Sequence, residues 1–170
     1  MKPLTAEKLM EYALRLLGGR ALSIGELRDK LGRRAEKPDD IDPVLARMKE
    51  LGYLNDVRFA DAYAAARLEN QGFGRMRVLR DLRQRRVAPV VAERAVEQVF
   101  QDTDEAALIE EFLRRKFRGT DLPRAMKDEK KLASAYRRLR YAGFSSGASI
   151  RVLKRYAARA EELETLEDGG

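Results

Sequence analysis

The residues best equipped for chemistry in this chain are arginines. Residues 75–86 hold six of them, Arg75, Arg77, Arg80, Arg83, Arg85 and Arg86, against one acid, Asp81. A guanidinium keeps its charge at any physiological pH and can grip a phosphate or carboxylate through two N–H donors at once. Such a density asks for a polyanion or an acidic protein face. On a helical wheel, Met76, Val78, Leu79 and Leu82 share one side. Arg77, Arg80, Asp81 and Gln84 face away, with Arg83 and Arg85 on the flanks. Asp81 stands four residues from both Arg77 and Arg85, the spacing of an intrahelical ion-pair ladder. Arg80 and Arg83 have no acid at that spacing, which makes them the stronger candidates for outside contacts.

Catalytic and metal chemistry find little support. Histidine and cysteine are both absent from the 170 residues. The best proton shuttle near neutrality is therefore missing, as are imidazole and thiolate metal ligands and any disulfide. Asp39, Asp40, Asp42, Asp102, Asp104 and Glu105 sit at helix starts, where carboxylates complement the helix dipole. Gly72-Phe73-Gly74-Arg75 lacks the strand and the later glycine or lysine of a phosphate-binding loop. The expectation is a protein that is not an enzyme, with no cofactor, no catalytic residue and no metal. The chain has net charge +7, with all 35 Lys and Arg before residue 161 and five of the 28 acids in the last ten residues. A body that basic attracts nucleic acid or an acidic protein. No run approaches a membrane span and no signal-peptide core opens the chain, so a soluble, cytoplasmic protein is expected.

The elements that must position these arginines read as helices throughout. Apolar residues recur at helical spacing in nine segments, and nothing alternates as a strand does. Ser23-Ile24-Gly25-Glu26 is a capping box. Asp42-Pro43 and Ala88-Pro89 open helices, and Asn55 or Asp56 caps another. Asp102 and Thr103 are expected to cap the seventh segment, and residues 36–40 and 119–123 to be loops. Residues 27–35 match residues 79–87 at five of nine positions, an offset of 52, and each copy precedes a proline-opened helix. Tyr136-Arg137-Arg138-Leu139-Arg140 holds the corresponding place in a more diverged third copy. The expected architecture is all-α, three tandem three-helix repeats forming an elongated, curved body, although one helical bundle would also satisfy the periodicity. The repeats span residues 1–54, 55–101 and 102–160, followed by an acidic tail at 161–170.

The repeats carry like-charged residues in equivalent places. Arg28, Lys30, Arg33 and Arg34 belong to the first. Arg75, Arg77, Arg80, Arg83 and Arg86 belong to the second, and Arg137, Arg138, Arg140, Arg151, Lys154 and Arg155 to the third. Three such copies could track a helical polymer, while any one of these residues would also suit a solvated face. Tyr53, Phe59, Tyr63, Phe112, Phe117, Tyr136 and Phe144 fall on apolar stripes and read as core; Phe73 and Tyr141 stay open. Aromatics do not interleave with the arginines along the sequence, as a base-stacking platform would require.

Gly52-Tyr53-Leu54-Asn55-Asp56-Val57-Arg58-Phe59-Ala60 resembles the GYL-x-D-x-x-FA signature of the bacterial RecX regulators. Gly72 to Arg77 with Leu79 and Leu82, Ala21 to Leu27 with Leu31, and Tyr136 to Ser145 resemble the motifs of that family's second, first and third repeats. The likeness covers residues 6–157. Gly147-Ala148-Ser149, where the last helix should start, and the acidic tail depart from the pattern. The resemblance implies a monomeric modulator, usually an inhibitor, of the RecA recombinase. It would lie on the RecA–DNA filament and restrain ATP hydrolysis, strand exchange and co-protease activity, a role in recombination, DNA repair and the SOS response. It implies contact with single- and double-stranded DNA without sequence preference. Two rivals stand beside it: a helix-turn-helix transcription factor, and a helical adaptor for some other acidic protein.

Overall fold

The computed structural model describes residues 2–163. Ten α-helices run in order: α1 Ala6–Gly19, α2 Ile24–Gly32, α3 Ile41–Glu50, α4 Asp56–Gln71, α5 Arg75–Gln84, α6 Pro89–Phe100, α7 Glu105–Lys116, α8 Leu122–Ala125, α9 Glu129–Tyr141 and α10 Ser146–Lys154. Two 3₁₀ turns, Pro38–Asp40 and Ala158–Leu163, complete the described elements. Among the described residues there is no strand, only an isolated bridge between Leu4 and Ala35. The all-α expectation holds. The acidic tail from residue 164 lies outside the described residues.

Several boundaries differ from the sequence reading. Helix α3 starts at Ile41, so Pro43 sits inside the first turn, where a missing N–H breaks no helical bond. Asp104, not Asp102 or Thr103, caps α7 by accepting from the Ala106 N–H. The segment read as a loop at 119–123 contains the start of α8, whose cap Asp121 accepts from the Arg124 N–H. Tyr53, expected in the core, is 56% exposed, because it follows the left-handed Gly52 and Leu54 turns inward instead.

Packing groups the described residues into two compact units, those up to 64 with 81–96, and 65–80 with those from 97 on. In the first, α1 packs on α3 and α2 around buried Leu9, Leu27, Leu31, Val44 and Met48. In the second, α10 packs on α7 and α9 around Ile109, Phe112, Leu113, Leu139, Phe144 and Leu153.

One device recurs in both units: a helix start seated on a left-handed turn. In the first unit the capping box is complete, with the Glu26 N–H on Ser23 Oγ and the Ser23 N–H on Glu26 Oε2, each at 3.1 Å. The Ser23 hydroxyl then donates to the Arg85 carbonyl. Arg86, the next residue, has φ 59°, a conformation rare outside glycine. Gly25 makes this approach possible, since a Cβ there would fall 2.5 Å from Arg86 Cβ. In the second unit the Gly74 N–H donates to the Ala142 carbonyl at 2.7 Å, and the Met76 N–H to the Gly143 carbonyl at 3.1 Å. Gly143 has φ 96°, and a Cβ on it would strike the Arg77 backbone nitrogen. The turn after α2 is held by the N-terminal segment: Leu4 N–H donates to Arg34 O at 2.7 Å, and Glu36 N–H to Leu4 O at 2.9 Å. The start of α9 is closed by its own cap, Asp128, which accepts from Lys130 and Lys131 N–H.

The aspartate of the GYL segment has a structural task. Asn55 caps its own helix by accepting from Arg58 N–H at 3.0 Å. Asp56 Oδ1 instead accepts from Ile24 N–H at 2.9 Å, closing the start of α2. Burial raises the Asp56 carboxyl above its ordinary range, against the lowering effect of that hydrogen bond.

Two outcomes follow. Gly143→Ala should destabilise the second unit by more than about 3 kcal/mol, through overlap added to left-handed strain. Gly119→Ala, at φ 77° with open space around it, should lose only about 1 kcal/mol. Urea unfolding compares them, and equal effects would show that the Gly143–Arg77 approach is not tight. For Asp56, the stabilising influence of its raised pKa is fully present below the unfolded pKa and is lost as pH rises through the folded one. At neutral pH the ionised carboxylate thus opposes folding slightly. Asp56→Asn keeps an acceptor without charge and should lose no stability there, whereas Asp56→Ala should lose ~1–2 kcal/mol. Asn as damaging as Ala would show that the charge itself is required.

Candidate functional site

The basic residues picked from the sequence divide by what their guanidinium or ammonium touches. In the first unit Arg28 pairs with Asp42 at 2.8 Å, and half-buried Arg34 lies over the Tyr12 ring at 5.2 Å. Arg83 pairs with Glu93 at 3.4 Å and Arg86 with Asp29 at 3.1 Å. Arg85, absent from the candidate site, is the most committed: it reaches Glu26 at 2.6 Å and covers the stacked rings of Phe59 and Tyr63. It thereby ties the end of the α5 segment to the capping box of α2. Lys30 is half-buried and Arg33 exposed, and neither makes an ion pair with any described residue.

In the second unit exposed Arg75 lies over Phe100 at 5.6 Å. Arg77 is half-buried between two rings, Phe73 at 4.5 Å and Tyr141 at 4.6 Å. Arg80 donates to the Tyr141 carbonyl at 3.3 Å and lies 5.4 Å from the same ring. Arg138 covers Phe117 at 5.5 Å, and Arg140 donates to the Phe144 carbonyl at 2.6 Å. Arg155 pairs with Glu110 at 2.8 Å, and Glu110 also accepts from Tyr156. That hydrogen bond, with burial, pushes the Tyr156 hydroxyl up to about 12. Lys154 and Arg151 are exposed. Arg137 is exposed and makes no ion pair with any described residue.

Three readings need correction. The inner stripe of α5 passes through Val78, Asp81, Leu82 and half-buried Arg85, at i, i+3, i+4 and i+7. Asp81, expected to face away, is only 7% exposed, while Met76, expected inside, is 58% exposed. Arg80 and Arg83 lack an acid four residues away, yet the fold supplies each with a partner distant in sequence. Aromatics and arginines, separate along the chain, do meet in space, most closely where Arg77 lies between Phe73 and Tyr141. The signal was not local: the Arg77–Tyr141 contact spans 64 residues.

Two of the depressions on the second unit are rimmed by several of its cations. The larger, ≈ 950 Å³ along α7, is of mixed charge. Glu110 there is occupied by Arg155, and Glu111 by Arg114 and Arg115. The other, ≈ 500 Å³, is bounded by Phe73, Arg77, Lys116, Arg137, Arg138 and Tyr141, and no carboxylate lines it. Among the described residues no cluster of acids could hold a metal, and no helix is long and apolar enough to cross a membrane.

Known proteins place this arrangement in a family. The pattern described as the first three-helix domain of RecX matches residues 10–48, and that of the second three-helix domain of RecX matches residues 55–96. The chain is 35% identical over 146 residues to the regulatory protein RecX of Deinococcus radiodurans, covering 85% of this chain and 65% of that protein. It is 30% identical over 165 residues to the regulatory protein RecX of Streptomyces lividans, covering 96% of this chain and 86% of that one. The crystal structure of RecX from Lactobacillus salivarius superposes with a TM-score of 0.67 at 19% identity, covering 90% of this chain and 97% of that one, a likeness of fold.

The half-buried and the exposed arginine pairs should separate in a stability measurement. Arg85→Ala removes the ion pair to Glu26, whose side chain is 13% exposed, and should lower stability by ~1–3 kcal/mol. Arg83→Ala removes an exposed pair and should change it by less than about 1 kcal/mol. Urea midpoints that fall equally for both would contradict the division.

Proposed function

Since the chain belongs to the RecX family of regulatory proteins, we propose that it binds the filament formed by the RecA recombinase on DNA and restrains it. It slows ATP hydrolysis, strand exchange and co-protease activity, and so acts in recombination, DNA repair and the SOS response. In this reading it is a cytoplasmic monomer of three repeats, 1–54, 55–101 and 102–160, that also touches single- and double-stranded DNA without sequence preference. It performs no catalysis of its own. The observation that carries the proposal is likeness over most of the chain to proteins named as RecX regulators.

The charge distribution supports it physically. The chain carries a net charge of +7, and Glu26, Asp42, Glu110 and Glu111 are each paired with one of its own arginines. Lys30 and Arg33 on the first unit and Arg137 on the second are available to phosphates or to recombinase carboxylates. Contacts of this kind are salt-sensitive and indifferent to sequence.

The test is DNA-dependent ATP hydrolysis by the cognate recombinase, titrated with this protein. Hydrolysis should slow at or below one protein per recombinase subunit. An unchanged rate across a broad titration would defeat the proposal. Tight binding to one duplex sequence over all others would favour the transcription-factor rival instead.

A further inference from the structure

We propose that the carboxylate-free groove of the second unit is a binding site for unpaired nucleic acid, in which one base stacks on the Tyr141–Arg77–Phe73 assembly. The inference rests on the reading above, in that it names the chemistry by which this regulator meets exposed single strand.

Three observations converge on this groove. The first is its charge. Arg77, Lys116, Arg137 and Arg138 bound it and no acid does, so its occupant must be anionic. The contrast lies in the same unit, where the larger depression is neutralised by its own glutamates. The second is an aromatic face held in place without being covered. Tyr141 stands at the end of α9 and is 66% exposed, an unusual situation for so large a ring. The Arg77 guanidinium lies 4.6 Å from it and 4.5 Å from Phe73, and Arg80 approaches it as well. This cation–aromatic sandwich fixes the orientation of a side chain that would otherwise rotate freely, so little entropy remains to be lost when a planar ligand docks. The third is size: ≈ 500 Å³ suits one or two nucleotides and cannot admit a duplex.

Anion plus flat ring is the chemistry of a nucleotide. Phosphates would meet Arg137, which has no ion pair within the described chain, and the neighbouring Arg138 and Lys116. Stacking needs an exposed base face, which paired DNA does not offer, so Tyr141 should contribute to single-strand affinity alone. An acidic peptide would satisfy the cations but would gain less from an immobilised ring.

The test measures affinity of the full chain for a short oligothymidylate and for a mixed-sequence duplex over a range of salt. Tyr141→Ala should weaken single-strand binding roughly 5- to 100-fold, the range for loss of one base stack, with duplex affinity unchanged. The slope against log salt should also stay unchanged. Tyr141→Phe should restore binding, since it keeps the ring. Arg137→Ala with Arg138→Ala should instead lower the slope by about 1.4, as loss of two single-strand phosphate contacts requires. Circular dichroism checks that each variant stays folded. Full single-strand affinity in Tyr141→Ala, or equal losses on single strand and duplex, would overturn the proposal. If Tyr141→Ala kept oligothymidylate binding but no longer slowed recombinase ATP hydrolysis, the groove would grip the recombinase itself. This inference would then fall while the proposed function stood.

Discussion

The described structure depends on a hydrogen bond between a helix's first amides, or its cap, and the carbonyl of a left-handed turn. Helix starts leave donors unsatisfied and helix ends leave acceptors unsatisfied. Here each defect repairs the other across a long stretch of sequence: Ser23 with Arg85, and Gly74 with Ala142. The geometry works only where the backbones can nearly touch, which explains the glycines at 25, 74 and 143. It also explains why the signature residues crowd around these points. Asp56 serves the start of α2, and Glu26 both completes the capping box and holds Arg85.

The same constraint sorts the arginines. An arginine-rich helix looks from its sequence like a uniform cationic face, but the fold consumes part of it. Arg85 and Arg86 secure the turn that α2 docks on, through Glu26 and Asp29. Arg77 and Arg80 at the other end brace an exposed tyrosine. Repeated basic residues therefore do unequal work, and the cations left over are fewer and more localised than the composition implies.

Much of this was legible in the sequence because it is local. The capping box at Ser23, the proline start at Pro89 and the Asn55 cap need only a few neighbouring residues, and the structure has them. The offset of 52 between residues 27–35 and 79–87 pointed to related turns, and Arg33–Arg34 and Arg85–Arg86 do occupy corresponding places. What was not legible is tertiary. A wheel drawn for α5 cannot know that its inner stripe passes through Asp81 and leaves Met76 outside. Tyr141 acquires its meaning from Arg77, sixty-four residues away. The small residues Gly147-Ala148-Ser149 looked like a poor helix start, yet Glu105 accepts from both the backbone N–H and the hydroxyl of the cap Ser145, providing from another helix the acid that the local sequence lacks.

The two outermost docking positions are also engaged. Leu4 occupies the Arg34 carbonyl in the turn after α2, and Asp128 occupies the first amides of α9. Both positions are thus closed by single residues, Leu4 and Asp128, rather than by the start or end of another helix. A further helix start or turn brought to either place would meet groups whose hydrogen bonds are already made. Exposing those groups would require trimming the segment around Leu4 or replacing Asp128 with a residue that accepts no hydrogen bond.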